Sequence, residues 1–109
     1  MGSIKPVVFL SEEIKVPPWS ARALLKIASP IRRLQQGKTL SMPESRPMPD
    51  IGLRCHELRI RAEKITWRVI YRIDKDAIVI VEVFKKKTAK TPQNVIATCK
   101  KRLARYDRT

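Results

Sequence analysis

The length, composition and charge of the chain restrict its fold and its partners. Its 109 residues, 43% of them hydrophobic, suffice for one domain over residues 1–109, and a formal net charge of +14 favours a polyanionic partner such as nucleic acid, an anionic membrane surface or an acidic protein. Two cysteines outside any CxxC unit and a single histidine exclude zinc-site spacing, and no stretch is typical of a secretion signal or membrane span, so we expect a cytoplasmic protein without metal or cofactor.

The first half of the chain predicts a strand, a helix and a loop. Residues 5–10 are rich in β-formers, and residues 20–36 place apolar side chains at spacings of three and four, as in an amphipathic helix. Because Ser29 and Pro30 have the chemistry of a helix cap and first turn, we expect a kink or two short helices that meet there. Residues 38–52 are rich in proline and predict a surface loop.

In the second half of the chain, apolar positions alternate with polar ones. This period predicts antiparallel strands with turns at residues 63–64 and 75–76, and the apolar run over residues 77–84 predicts a central strand. Thr91 and Pro92 are typical of a helix start. We therefore expect an α+β fold, in which an antiparallel sheet of about four strands is flanked by N-terminal helices and a C-terminal helix.

The turn positions also predict the strand register. A hairpin centred on residues 63–64 pairs Arg59 with Arg68, and one centred on residues 75–76 places Lys85 on the same face. Because like charges across a strand pair are destabilising, the paired arginines indicate a bound anion, and the donors of a guanidinium suit a phosphate. The alternative is that both arginines extend into water or pair with nearby glutamates, Glu57 and Glu82.

A cationic run precedes the predicted C-terminal helix. Four lysines lie within residues 85–90, and helix starts favour anions, so this loop is suited to hold a phosphate. Crowding by like charges favours the neutral form of an ammonium group, so we expect one of these lysines to exchange protons near neutral pH. The alternative is a solvated loop that serves only in electrostatic steering.

Other catalytic arrangements are absent from the pattern. The acidic residues are scattered, so the carboxylate cluster of a metal-dependent nuclease is not expected, and His56 falls on the apolar face by strand parity. What remains is attack by a ribose 2′-hydroxyl on its own 3′-phosphate, for which DNA lacks the nucleophile. Trp67 and Tyr71 could stack on bases, although their parity favours a structural role.

Three motifs resemble the HigB-like, phage-derived branch of the RelE/ParE toxin superfamily. They are CHELR at residues 55–59, WRVIY at residues 67–71 and FKKKTAKTP at residues 84–92, within a resemblance that covers about residues 20–106. The resemblance implies an antiparallel sheet flanked by helices and a type II toxin that cleaves mRNA without a metal, often during translation. It also implies a separate acidic helix-turn-helix antitoxin as the partner.

The resemblance assigns roles by matching position. It makes Arg59 and Arg68 phosphate-contacting residues, and it makes Lys86, Lys87 and Lys90 candidates for proton transfer and substrate binding. These five residues form the expected catalytic set.

Further residues complete the expected site. We expect Arg61, Lys85 and Thr88 to help bind RNA. Trp67 stands where the family often has tyrosine, and Tyr106 is a candidate substitute for the C-terminal catalytic tyrosine or histidine of several RelE-type toxins. Two other functions stay open: a ParE-like inhibitor of DNA gyrase, and a non-catalytic nucleic-acid-binding protein encoded by a phage.

Overall fold

The computed structural model describes residues 4–11 and 20–109, which form a mixed sheet of five strands with one helix on each face. In chain order the elements are β1 (Val7–Phe9), α1 (Ala21–Gln35), β2 (Ser45–Pro47), β3 (Cys55–Ala62), β4 (Ile65–Ile73), β5 (Ile78–Lys85) and α2 (Gln93–Asp107). The strand order is β1-β5-β4-β3-β2. This architecture confirms the α+β class, and neither α1 nor α2 has the length and apolar character needed to cross a membrane.

The sheet differs from the predicted one in its two edge strands. β1 runs parallel to β5, so the sheet is mixed rather than antiparallel and has five strands rather than about four. β2 lies inside the predicted loop of residues 38–52 and places Ser45 opposite Leu58 of β3. A strand of three residues is too short to show an alternating pattern, and the direction of β1 depends on a connection that local sequence does not encode.

One helix, α1, precedes β2 in the described part of the chain, where N-terminal helices were predicted; residues 12–19 lie outside that part. The Ala23 backbone N–H donates a hydrogen bond to the Ser20 hydroxyl at 3.1 Å, and Gly37 follows the helix with a φ of 86°. α1 continues through the buried Pro30, so two separate helices do not form there. The packing of the apolar face of α1 against the sheet offsets the cost of the backbone hydrogen bond that is lost at Pro30.

The hairpin of β3 and β4 has the predicted register. Glu63 and Lys64 form its turn with φ angles of 51° and 68°, a combination that matches the twist of the two strands. Arg59 therefore lies directly opposite Arg68. Both residues share a face with Ile70, which packs in the core under α2.

The hairpin of β4 and β5 follows its predicted register only near the turn. Tyr71 lies opposite Ile80 as expected, but Ile70 lies opposite Glu82, which leaves Val81 as an extra residue on β5. Such a β-bulge shifts the pairing of all later residues by one position. The alternating pattern did not reveal it because residues 77–84 are apolar on nearly every position.

The bulge corrects the predicted position of Lys85. Beyond it, Arg68 lies opposite Phe84, while Lys85 lies opposite Trp67 on the α1 side of the sheet. A shift of one residue moves each following side chain to the other face. Strand alternation therefore places Lys86, and not Lys85, on the face of the two arginines.

The two faces of the sheet carry separate cores. The α1 side contains Leu34, Leu58, Trp67, Val69 and Tyr71, and the α2 side contains Ile70, Val79, Ile96, Cys99 and Leu103. Both cysteines, Cys55 and Cys99, are buried and unpaired. Burial raises the pKa of the Cys99 thiol to about 12, so this thiol stays protonated and unreactive near neutral pH.

His56 and Tyr71 have structural roles on the α1 side. Their rings stack with centroids 5.3 Å apart, and the Tyr71 phenol shares a hydrogen bond of 2.6 Å with the Ser45 hydroxyl. Burial lowers the pKa of His56 and raises the pKa of Tyr71. Tyr71 is 0% exposed, so it cannot stack on a base, and the structural role favoured by parity is confirmed.

Candidate nucleic-acid interface

A buried carboxylate lies at the centre of the predicted site. Glu57 of β3 is 0% exposed, and its oxygens accept hydrogen bonds from the Thr91 hydroxyl at 2.6 Å and from Arg46 Nε at 3.1 Å. Arg68 Nη1 lies 3.3 Å from the same Glu57 oxygen as Arg46 Nε. In the described ranges, no three His, Cys, Asp or Glu side chains are grouped so that they could hold a metal ion. A buried carboxylate needs hydrogen-bond donors and cations around it. Through Arg46, Arg68 and Thr91, Glu57 therefore connects β2, β4 and the start of α2.

Arg68, which the resemblance assigns to phosphate, is enclosed by protein. The residue is 1% exposed, and its Nη2 donates a hydrogen bond to the Ala89 carbonyl at 3.2 Å. Among the described residues, its Nε and Nη1 have no hydrogen-bond partner, since Nη1 reaches Glu57 as an ion pair only. Burial lowers the pKa of Arg68, and the Glu57 carboxylate opposes that shift. The charge of Arg68 can therefore act on an anion through space, whereas its enclosure prevents direct contact with a ligand in this arrangement.

Arg59 differs from its cross-strand neighbour. It is half-buried, its Nε has no hydrogen-bond partner among the described groups, and it forms no ion pair with a carboxylate of the described chain. Glu57 pairs with Arg68, while Glu82 pairs with Arg102 at 3.1 Å. The alternative of arginine pairing with Glu57 and Glu82 is thus confirmed for Arg68 only. Arg59 keeps an unneutralised charge beside open surface, as a phosphate ligand requires.

A neighbouring row of the sheet adds exposed cations. Arg61 lies opposite Thr66, and the Lys86 backbone N–H donates a hydrogen bond to the Thr66 carbonyl at 2.8 Å. Strand alternation places Arg61 and Lys86 on the same face as Arg59, and both are exposed. The structure thus brings Arg59, Arg61 and Lys86 together on one surface, which we call the cationic face.

The loop between β5 and α2 carries the other predicted residues. Lys87, Thr88 and Lys90 are exposed, and the Thr88 hydroxyl donates a hydrogen bond to the Lys90 carbonyl at 2.7 Å. Together with Lys85, these side chains line a cleft of about 510 Å³ at the end of β5, which we call the β5 cleft. The Lys85 ammonium lies 5.4 Å from the centroid of the Trp67 ring. Apart from the enclosed Arg68, the residues of the predicted catalytic and RNA-binding sets are therefore divided between the cationic face and the β5 cleft.

The start of α2 lies beside Glu57 and has no side-chain cap. Pro92 is the N-cap residue, and the first turn of α2 contains no acidic residue. The hydroxyl of Thr91, which was predicted with Pro92 to start the helix, donates a hydrogen bond to a Glu57 carboxylate oxygen instead. The first backbone N–H groups of α2 and its positive dipole end therefore remain available to an anion.

Two residues of the network were not assigned to the site from sequence. Arg46 lies in the predicted loop, and its Nη2 donates a hydrogen bond to the Thr91 hydroxyl at 3.2 Å. Thr91 was singled out only as a helix cap. Local sequence holds no signal for Arg46, because its role depends on the three-residue strand β2. The signal for Thr91 is its place in the FKKKTAKTP motif.

Tyr106 does not join the predicted site. It lies near the C-terminal end of α2, whereas Thr91 precedes the N-terminal end. Its ring packs in the α2 core and lies 6.0 Å from the guanidinium carbon of Arg72. The structure thus separates Tyr106 from the cationic face by the length of a helix.

A known protein family matches most of the chain. The family model described as "Phage derived protein Gp49-like (DUF891)" matches residues 17–104. That interval contains every predicted catalytic and RNA-binding residue except the candidate Tyr106, which lies beyond it, and it also contains Arg46, Glu57 and Thr91. The comparisons with curated proteins and with solved structures find no match.

Proposed function

Because the chain belongs to the phage-derived Gp49-like family, which is RelE-like and toxin-like, we propose that it is the toxin of a type II toxin–antitoxin pair. In this proposal it belongs to the HigB-like branch and cleaves mRNA in the cytoplasm without a metal ion. The messages are being translated when they are cut, so cleavage arrests translation.

The observation that carries the proposal is the cationic face, on which Arg59 has no carboxylate partner among the described residues, while Arg68 lies beside it on β4, buried against Glu57. In the reaction a ribose 2′-hydroxyl attacks the adjacent phosphorus, and the bond from phosphorus to the next 5′-oxygen breaks. Negative charge grows on the non-bridging oxygens in the transition state. Arg59 binds these oxygens and Arg68 adds its field, a type of interaction worth about 100-fold or more in rate.

Proton transfer is assigned to the lysines near this face. The attacking hydroxyl must lose a proton, and the leaving 5′-oxygen must gain one. Lys86 shares the cationic face, and Lys87 and Lys90 follow it in an exposed loop. The products are a 2′,3′-cyclic phosphate and a 5′-hydroxyl.

The charge of the chain supports both proposed partners. It has 24 Lys and Arg against 10 Asp and Glu, an excess that repels itself in an isolated compact domain. Phosphates of mRNA, on the ribosome or free, release counterions when they meet these cations. An acidic helix-turn-helix antitoxin neutralises the same surface and holds the toxin inactive.

The test is cleavage of a defined message by purified protein in a translation mixture and on naked RNA. Primer extension should reveal discrete new ends with the wild-type chain and none with Arg59→Ala. A variant of an exposed arginine on α1, Arg32→Ala, is the matched control and should cleave like the wild type. Intact transcripts under both conditions would refute the proposal.

Non-catalytic nucleic-acid binding is the second candidate function, and the burial of Arg68 favours it. An arginine that is 1% exposed and paired with Glu57 can have a purely structural role. Under that function, Arg59→Ala weakens RNA binding and no RNA is cut. The same purified protein therefore discriminates the two functions.

A further inference from the structure

The β5 cleft combines an aromatic and apolar wall with a cationic rim. Its wall includes Trp67, Phe84 and Val95, and three lysines line it, Lys85, Lys87 and Lys90. Its volume of about 510 Å³ lies in the range of small-molecule sites. We propose that this cleft binds a nucleobase of single-stranded RNA, next to the phosphate on the cationic face. The inference rests on the proposed function, because it takes RNA as the ligand.

The position of Phe84 connects the cleft to the cationic face. Phe84 lies directly opposite Arg68, which in turn lies directly opposite Arg59, so the three residues form one row across β5, β4 and β3. Phe84 is half-buried, so part of its ring remains open to the cleft, whereas Trp67 is 4% exposed and offers little more than an edge. Phe84 is therefore the ring on which a base stacks.

The charge of the cleft suits a nucleotide. The one carboxylate among its lining residues, Glu82, pairs with Arg102 at 3.1 Å and is thereby neutralised. The three lysines therefore leave a positive rim around the apolar wall. A base flanked by phosphates presents the complementary pattern, an apolar ring between negative charges.

The edge of β5 argues against a peptide strand as the occupant. Within the described residues, β1 pairs only with Ile78, Val79 and Ile80 of β5, so the edge is open beyond the bulge. The Val83 N–H, however, donates a hydrogen bond to the Glu82 carboxylate at 2.9 Å. An added strand needs that N–H as a ladder donor and would have to break this bond. A nucleobase does not need it.

Binding can be tested without cleavage by the use of 2′-O-methyl RNA, which has no free nucleophile. Fluorescence anisotropy would compare a short labelled oligonucleotide with versions that carry one abasic position each. We expect one abasic position to weaken wild-type binding about tenfold, the effect of losing one base stack. Phe84→Leu should weaken binding of the intact RNA to a similar degree and abolish the difference between intact and abasic RNA. Phe9→Leu, at an exposed ring on β1, is the control and should change neither affinity.

A second measurement needs no variant. The methyl NMR signals of Val83 and Val95, which both line the cleft, should shift with a nucleoside 5′-monophosphate and not with ribose 5-phosphate. Equal shifts with both ligands, or equal affinity of the wild type for intact and abasic RNA, would overturn the inference even if the protein cleaves RNA. Competition for the cleft by an acidic peptide, with no effect of mononucleotides, would overturn it in favour of a protein partner. If an abasic position weakens binding but the protein cuts no RNA, the base-binding inference is supported and only the proposed nuclease activity is refuted.

Discussion

Arg59 and Arg68 lie directly opposite each other on β3 and β4, yet only Arg68 has a carboxylate beside it in the described chain, with Glu57 3.3 Å from its Nη1. Two arginines in equivalent sheet positions therefore have different environments. Arg68 is enclosed and paired with Glu57, which it shares with Arg46, whereas Arg59 is half-buried and has no carboxylate partner among the described residues. In our account Arg59 contacts the phosphate and Arg68 supports it.

Replacement of Arg59 should separate activity from stability. Arg59→Ala removes the proposed phosphate ligand, so the cleavage rate should fall about 100-fold. It also removes one of two like charges across a strand pair, so the free energy of unfolding should stay the same or rise slightly. Cleavage kinetics and urea denaturation of the same preparation check both effects. A parallel loss of activity and stability would mean that Arg59 is a structural residue.

Replacement of Glu57, unlike that of Arg59, should lower the stability of the protein. Glu57→Gln leaves Arg68 buried without a counter-charge, and breaking a buried ion pair in this way costs about 3–5 kcal/mol of unfolding free energy. The control is Glu82→Gln, because its pair with Arg102 is partly exposed and should contribute about 1 kcal/mol or less. Urea denaturation curves of the two variants make the comparison. Similar losses would contradict a special role for the buried network.

The bulge at Val81 predicts different roles for two adjacent lysines. Lys86→Ala removes a cation from the face of Arg59, so it should lower kcat, by about tenfold or more if this lysine transfers a proton. Lys85 lines the β5 cleft, so Lys85→Ala should raise KM and leave kcat unchanged. Steady-state kinetics with one RNA substrate distinguish the two effects. If instead Lys85→Ala lowered kcat and Lys86→Ala raised KM, the result would indicate that β5 pairs without the bulge when substrate binds.

Sequence predicted the first hairpin correctly because a turn at Glu63 and Lys64 brings the apolar faces of β3 and β4 into agreement. It failed at the second hairpin because a nearly continuous apolar run contains no alternation from which an extra residue at Val81 could be detected. The predicted register was wrong by only one residue. That one residue is enough to place Lys85, instead of Lys86, on the cationic face in the prediction.

The buried network was also only partly predictable. Glu57 was considered as an alternative partner of the arginines, and the structure places it against Arg68. The roles of Arg46 and Thr91 depend on the three-residue strand β2 and on the position where α2 begins, and neither leaves a periodic signal. The periodicity of apolar residues therefore cannot predict very short strands, or ion pairs between elements that are distant in the chain.

The C-terminal end of α2 should make stability depend on acid pH. Hydrogen bonds from Arg72 hold the pKa of Asp107 below its ordinary value of 3.8, so the folded state releases this proton more readily than the unfolded state. The stabilisation that this pair gives the folded state is present at pH values above the ordinary pKa of Asp107. It is lost as the pH falls through the lowered pKa of the folded state. Asp107→Asn should therefore destabilise the protein near neutral pH and weaken its loss of stability in acid. Denaturation at about pH 7 and about pH 3 checks this, and an unchanged pH dependence would contradict it.

In the proposed reaction the ribose 2′-hydroxyl is the nucleophile, and protein cations take the place of a metal ion. The most direct measurement is the chemistry of the ends that purified protein cuts, both in a translation mixture and on naked RNA, the latter also in the presence of EDTA. We predict a 2′,3′-cyclic phosphate and a 5′-hydroxyl, and no cut where the ribose at that position carries a 2′-O-methyl group. Cleavage that survives the 2′-O-methyl group, cleavage of naked RNA that stops with EDTA, or 5′-phosphate ends would each contradict this mechanism.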